Sequence, residues 1–121
     1  MIMNFKKIKL SESSTQKLKT FKSKTGLTPN IVCRLALALS INEGTVPSIE
    51  LFADNDSGQE IARYVFTGDL DLPLISIYKM WVIENEIIES DQYSYFMAHI
   101  NRGIELLTSR VKSLDQFSDL L

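Results

Sequence analysis

The segment that most restricts the possible folds is TGLTPNIVCRLALAL, which occupies residues 25–39. Thr28 is predicted to be the N-cap of a helix and Pro29 its first residue, because the N–H group that proline lacks would have no partner at that position. The helix is predicted to run to about Ile41, where the sequence NEG ends it. Apolar residues occupy almost every side of this helix, which is typical of a buried helix.

A helix that is apolar on almost every side requires more cover than a chain of 121 residues readily supplies. We therefore predict that a second copy of the chain packs against it and that the protein is a homo-oligomer. The predicted interface residues are Ile31, Leu35, Leu37 and Leu39.

The charges divide unevenly along the chain. Residues 1–34 have a net charge of +7 and residues 35–121 a net charge of −9, although the whole chain has a net charge of only −2. Such a division indicates a basic binding arm on an acidic body, and a solvated, charge-rich helix face is the alternative. We predict one domain over 1–121, with a basic segment at 1–44 and an acidic helical segment at 45–121.

The first ten residues predict a short basic strand or arm. NFKKIKL at 4–10 alternates, so that Lys6, Ile8 and Leu10 share one face, which suits a strand. A single strand requires a partner strand. The sequence leaves open whether this segment is a paired strand or a flexible arm.

A lysine-rich helix is predicted to follow the strand. SSTQ at 13–16 matches a capping box, in which Ser13 is the N-cap and Gln16 bonds back to it. The helix is predicted to run to about Lys24, and Gly26 suits the left-handed position just beyond its end. At 100° per residue, Lys17 and Lys24 nearly coincide, and Lys22 and Lys19 are predicted to spread to either side.

The acidic segment is predicted to be mostly helical. Residues 45–60 have the composition of a loop, and 61–67 is either a strand or a short helix. Long helices are predicted at about 74–89 and 92–111. The end of the chain, KSLDQFSDLL, resembles a short docking helix or a frayed end. The fold class is therefore mainly α, with a helix bundle after the basic strand.

No catalytic, cofactor or metal site is predicted. The chain has one cysteine, Cys33, within the apolar run, where a thiol behaves as a small hydrophobic group. A catalytic thiolate requires a nearby base, and the single histidine, His99, lies far along the chain and is expected to pack between helices or lie at the surface. DNDSG at 54–58 lacks the remaining ligands of a calcium loop.

The sequence predicts neither a membrane span nor a signal peptide. Lysines interrupt MIMNFKKIKL where an apolar signal core would begin, and no stretch reaches the ~18 apolar residues of a spanning helix. We therefore expect a cytoplasmic protein.

The order of a basic strand, a lysine-rich helix, a tight turn and a capped apolar helix is that of a ribbon-helix-helix module, in which two chains pair their strands. The N-terminus of the second helix, at Thr28 and Asn30, would present free N–H groups to a DNA phosphate. This analogy concerns the N-terminal half of the chain and does not by itself fix a function.

A closer resemblance covers most of the chain. KLKTFKSKTGLTPNIVCRLALALSINEG resembles the N-terminal signature of the DndE family, the small subunit of bacterial DNA phosphorothioation systems. DSGQEIARYVFTGD and HINRGIELL resemble its later motifs. The resemblance implies a mostly helical, tetrameric, non-enzymatic subunit without a cofactor, which binds duplex DNA and prefers nicked duplex. It also implies two partners, a DndC-like sulfurtransferase and a DndD-like ATPase.

We predict that a lysine-rich surface contacts the phosphates. The predicted DNA-binding residues are Lys7, Lys9, Lys17, Lys19, Lys22, Lys24, Thr28, Asn30 and Arg34. Two other classes of function remain open at this point. One is a ribbon-helix-helix repressor or antitoxin that reads one operator, and the other is a scaffold whose lysines bind an acidic protein.

Overall fold

The computed structural model describes residues 4–52 and 58–111, and the fold is mainly α as predicted. Predictions for 112–121 and for most of DNDSG lie outside these residues. The helices are α1 (Glu12–Thr25), α2 (Pro29–Asn42), α3 (Arg63–Thr67), α4 (Asp71–Glu84) and α5 (Gln92–Arg110), and the strands are β1 (Lys7–Lys9) and β2 (Glu60–Ala62). Within the described ranges, no helix is both long and apolar enough to cross a membrane.

Helix α1 begins one residue before the predicted capping box. Ser11, not Ser13, is the N-cap, and its Oγ accepts a hydrogen bond of 3.1 Å from the Ser14 N–H. The prediction for Ser13 was wrong, since its Oγ accepts from Lys17 Nζ at 2.7 Å instead. The prediction for the other end is confirmed, because Gly26 adopts φ 79° and its N–H bonds the Lys22 carbonyl.

Strand β1 finds its partner within the same chain. It pairs antiparallel with β2, and Ile8 lies opposite Ile61. Ile8 and Leu10 are fully buried, as the alternation predicted. The undecided segment 61–67 contains both elements, because β2 ends at Ala62 and α3 starts at the next residue. The strand therefore does not require the second chain on which the ribbon-helix-helix analogy depends.

Helix α2 is covered mainly by α5. The buried residues of α2 are Val32, Cys33, Ala36, Leu37 and Ser40. Leu37 is only 1% exposed in a single chain, so its assignment to an interface between copies was wrong. The reason is that α5 supplies the cover that we had attributed to a second copy. Ile31 remains 39% exposed, and Leu35 and Leu39 are half-buried, so for them the interface stays a prediction.

The two helices approach each other closely at Gly103. A Cβ atom on Gly103 would lie 1.9 Å from the Ala36 carbonyl oxygen and 2.6 Å from the Ala36 Cα. These are backbone atoms and cannot move aside as a flexible side chain can. The missing side chain of Gly103 thus sets the distance between α2 and α5.

Helix α4 starts three residues before its predicted start and ends five residues before its predicted end. Asp71 lies in the first turn, where its carboxylate accepts from Arg63 Nε at 2.8 Å and Nη2 at 3.0 Å. At the other end, the Asn85 side chain bonds the Trp81 carbonyl, and Glu86 adopts a positive φ of 52°. Tyr78 and Trp81 face the core, where the Tyr78 hydroxyl donates to the Gln92 carbonyl.

Candidate nucleic-acid interface

The lysines of α1 form two pairs on opposite flanks of the helix. Lys17 and Lys24 line a groove that also contains Thr108 and Glu105 of α5. Lys19 and Lys22 line a separate depression beside Pro29. The prediction that Lys19 and Lys22 lie on either side of the first pair was wrong. They lie 200° and 140° around the helix axis from Lys17, which places both on the flank opposite Lys17 and Lys24.

Between the two lysine pairs, α1 exposes neutral polar side chains. Gln16, Thr20 and Ser23 are exposed, whereas Leu18 and Phe21 on the opposite side are buried. A helix with its side chains is about 10–12 Å wide, so the two pairs lie roughly that far apart. We call the two pairs and the exposed neutral residues between them the α1 lysine surface.

The α1 lysines are available to an external anion. In the part of the chain that the structure describes, none of the four forms an ion pair with a carboxylate. Lys19, Lys22 and Lys24 are exposed, and Lys17 is half-buried. Four cations on one helix without a carboxylate partner attract phosphate groups at low ionic strength.

The lysines of β1 differ from those of α1. Lys7 Nζ lies 2.7 Å from Glu60 Oε1 across the two-stranded sheet. The hydrogen bond from Lys7 is the main reason that the pKa of Glu60 lies below its usual value. Lys9 is half-buried. Their contact with DNA stays a prediction, and the charge of Lys7 is already partly compensated.

The N-terminus of α2 has the predicted form without the predicted cap bond. Thr28 is the N-cap, but its Oγ1 donates to Asn30 Oδ1 at 2.5 Å and does not bond an N–H group of the first turn. N–H groups in the first turn of a helix have no partner within the helix and are suited to a phosphate oxygen. Pro29 also lines the depression that contains Lys19 and Lys22, so this terminus lies beside one lysine pair.

Arg34 has a structural contact in this fold. Its Nε donates to the Phe66 carbonyl at 2.6 Å and its Nη2 approaches the Val65 carbonyl at 3.4 Å. Arg34 therefore connects α2 to the end of α3. Its predicted contact with DNA stays a prediction.

A serine–histidine pair lies in the core between α2 and α5. Ser40 Oγ is 2.8 Å from His99 Nδ1, and Arg102 Nε donates to the same hydroxyl at 2.8 Å. The Ser40 hydroxyl thus joins the imidazole to the Arg102 guanidinium, and within the described residues the other ring nitrogen, Nε2, has no hydrogen-bond partner. Ser40 and His99 are both fully buried, so no substrate reaches this pair.

Neither histidine nor cysteine is poised for catalysis. Burial, reinforced by the positive charge of Arg102, lowers the pKa of His99 to about 3. Burial raises the pKa of the Cys33 thiol to about 12, which keeps the sulfur protonated at neutral pH. A protonated, fully buried thiol is a packing group and a poor nucleophile.

The buried imidazole predicts a specific acid sensitivity. The unfolded chain binds a proton at His99 near pH 6.5, whereas the folded chain does so only near 3, so the free energy of unfolding falls as the pH drops through this interval. His99→Gln keeps a hydrogen-bond acceptor and does not titrate. We expect the free energy of unfolding, measured by urea denaturation, to depend less steeply on pH in His99→Gln than in the wild type between those pH values. The two slopes are expected to differ by up to about 1.4 kcal/mol per pH unit. Equal slopes in the two proteins would contradict this protonation state.

Comparison with known proteins places the chain in a family. Residues 7–115 match the family described as DNA sulphur modification protein DndE. The chain belongs to the DndE family. No curated protein sequence matches it significantly.

Solved DndE structures share this fold. One is described as DndE from Escherichia coli B7A, involved in DNA phosphorothioation modification; it has a TM-score of 0.72 and 25% sequence identity, and the match covers 87% of this chain and 98% of that one. A DndE mutant in which two glycines are replaced by lysine is similar, with a TM-score of 0.67, 24% identity, and coverage of 87% and 99%. The predicted family is thus confirmed.

Sequence reasoning missed two features of this DndE family member. The Ser40–His99 contact joins residues that are 59 positions apart, and no local pattern indicates it. The outward side of α4 is also unexpectedly apolar, with Leu72 77% exposed and Ile83 68% exposed. For α4 a signal was present, since apolar residues occur on all sides of DLPLISIYKMWVIE.

Proposed function

We propose that this DndE family member is a non-catalytic subunit of a DNA sulfur modification system and binds duplex DNA through the α1 lysine surface. One observation carries the proposal: four lysines without a carboxylate partner lie on two flanks of one helix. Membership of the family supports the connection with DNA sulfur modification. The opposite charge of the rest of the chain supports the assignment of this surface as the one that meets DNA.

Contacts with phosphates dominate in this proposal. Lysine binds phosphate as a point charge, without the planar geometry that reads base edges. We therefore expect little dependence on DNA sequence. A repressor that reads an operator with paired strands is not favoured, because β1 pairs with β2 of its own chain.

Further parts of the proposal follow the family resemblance. The protein acts as a homo-oligomer, with a tetramer preferred, beside a sulfurtransferase and an ATPase. It binds nicked duplex more tightly than intact duplex, because a nick lets the DNA bend at lower cost. Several copies of the lysine surface in one assembly increase avidity where the geometry lets them reach the same duplex.

The non-catalytic role predicts that the two reactive residue types are dispensable. Cys33→Ser and His99→Gln remove the thiol and the imidazole, which are both buried and poorly suited to catalysis. In cells that carry the modification system but lack the gene for this subunit, either variant is expected to restore phosphorothioate in the DNA to near the wild-type level. Mass spectrometry of nuclease-digested DNA measures it.

Two controls make this result interpretable. Circular dichroism and the amount of soluble variant show whether the fold is kept, since a polar group in the core costs stability. A folded Cys33→Ser or His99→Gln variant that restores no phosphorothioate would refute the non-catalytic role.

DNA binding itself is tested with purified protein. We expect fluorescence anisotropy to show binding to duplexes of two unrelated sequences with similar affinity, and tighter binding to a nicked form of each. A strong preference for one intact sequence would support the repressor class instead. Absence of binding at low salt would support a scaffold that meets an acidic protein.

A further inference from the structure

A groove separates α1 from the last two turns of α5. Two apolar residues that line it, Phe21 and Val111, are at most 3% exposed. Gln16, Thr20 and Ser109, which also line it, are exposed. The groove therefore has an apolar interior and a polar rim, and its volume of about 510 Å³ is typical of cavities that hold a ligand. We call it the α1–α5 groove.

The chain leaves α5 at the edge of this groove. Val111 has an extended backbone, with φ −119° and ψ 116°, so the chain turns away from the helix axis there. The Val111 side chain packs in the hydrophobic core, and its N–H donates to the Leu107 carbonyl at 3.0 Å. These contacts fix the point from which segment 112–121 starts.

Segment 112–121 has an apolar pattern that suits the interior of the groove. Leu114, Phe117 and Leu121 have the i, i+3, i+7 spacing that places apolar side chains on one face of a helix. From Gln16 to Lys24, α1 advances by about 12 Å, and eight residues of a second helix cover the same distance. Ten residues are therefore enough to run back along the groove.

The charges of the segment and the groove are opposite. Segment 112–121 has two aspartates, Asp115 and Asp119, and one lysine. The groove has two lysines, Lys17 and Lys24, and one carboxylate, that of Glu105. Neither groove lysine forms an ion pair within the described residues. Opposite charges beside an apolar contact favour association and set its orientation.

We propose that segment 112–121 packs in the α1–α5 groove of its own chain, with its apolar residues against Phe21 and Val111 and its aspartates beside Lys17 and Lys24. The segment then competes with DNA for one of the two lysine pairs of the α1 lysine surface. The competition rests on the proposed function, because it requires these lysines to bind phosphate. The docking of the segment does not depend on DNA.

The tether makes a weak contact effective. A segment that starts beside its groove acts at an effective concentration on the order of 1 mM. If it binds with a dissociation constant of about 0.1 mM, the groove is open to DNA about one tenth of the time. Because the apparent affinity for DNA scales with the open fraction, release of the segment is expected to raise that affinity by up to about tenfold.

The first test locates the segment with a pair of cysteines in the full chain. Thr20→Cys/Phe117→Cys places one thiol in the groove and one on the segment. Gln59→Cys/Phe117→Cys is the control, because Gln59 lines the depression on the opposite flank of α1. Cys33 is buried and does not interfere. Under mild oxidation, we expect a disulfide within one chain for the first variant and at least tenfold slower formation for the control.

Three results of this test would overturn the docking. They are no disulfide between residues 20 and 117, equal rates in the two variants, and a disulfide that joins two chains. The last would mean that a second copy supplies the segment. Gel mobility without reductant separates one chain from two, and mass spectrometry of the digested protein identifies the linked residues.

The second test measures competition with DNA by fluorescence anisotropy. Leu114→Ser/Phe117→Ser removes apolar side chains without changing the charge, and Val46→Ser/Leu51→Ser does so at exposed positions elsewhere. We expect the first variant to bind duplex DNA up to about tenfold more tightly, with a salt slope steeper by up to about 0.9 for each lysine released, and the control to match the wild type. Unchanged affinity in the first variant would refute the competition. A wild type that binds no DNA would refute the proposed function, whereas the disulfide test would still decide the docking.

Discussion

Gly103→Val is expected to destabilise the folded chain severely. Any Cβ at this position would lie 1.9 Å from the Ala36 carbonyl oxygen, well inside the contact distance of the two atoms. Helices α2 and α5 would have to separate, and they pack against each other more extensively than any other two elements of the described chain. We expect a loss of about 3 kcal/mol or more, which is a large part of the stability of a small domain. Circular dichroism with a urea titration measures the change.

A second glycine provides the control for Gly103. Gly44 has φ +81°, and a Cβ placed on it would have no atom within 4 Å. Gly44→Ala therefore costs only the strain of a left-handed backbone, about 1–2 kcal/mol. If Gly103→Ala were no more destabilising than Gly44→Ala, the close approach of the two helices would be wrong.

Replacing all four α1 lysines with alanine is expected to abolish most DNA binding. Each phosphate that a lysine neutralises contributes about 0.9 to the slope of log affinity against log salt, so four lost contacts reduce affinity by at least about a hundredfold at 0.1 M salt. The loss should be similar for unrelated sequences, because phosphates carry no sequence information. Anisotropy titrations of the Lys17→Ala/Lys19→Ala/Lys22→Ala/Lys24→Ala variant measure it.

Lys79 provides the matched control for a single substitution. It lies on α4, a different helix from the α1 lysine surface, and the segment around it is acidic. Lys24→Ala is expected to weaken binding to every duplex, and Lys79→Ala to leave it nearly unchanged. Similar losses in the two variants would mean that net charge, and not the α1 lysine surface, determines binding.

Local rules predicted the parts of the fold that local chemistry determines. Gly26 adopts the left-handed conformation that its position required, and Pro29 begins α2 as its missing N–H indicated. The start of α4 was misplaced because GDLDLP reads as a turn. Pro73 is nevertheless tolerated in the first turn of a helix, where its nitrogen needs no partner.

The remaining features depend on contacts between distant parts of the chain. The sequence of α2 shows that the helix is buried, but not whether α5 or a second copy covers it, and Leu37 was assigned wrongly for that reason. The partner of β1 lies more than fifty positions away in β2. Of the candidate site, the α1 lysines could be predicted from their number and spacing. Their division between two flanks follows from the helical rotation, whereas the neighbours of each pair, α5 for one and Pro29 for the other, are known only from the structure.

The most direct test of the account is a salt titration of DNA binding by the wild-type protein and the quadruple lysine variant. Affinity is measured at several salt concentrations on intact and nicked duplexes of two unrelated sequences. We predict a steep negative slope for the wild type on all four duplexes, and a slope smaller by about 0.9 for each lost contact in each bound copy of the variant. Equal slopes and affinities for the folded variant and the wild type would contradict the proposed function.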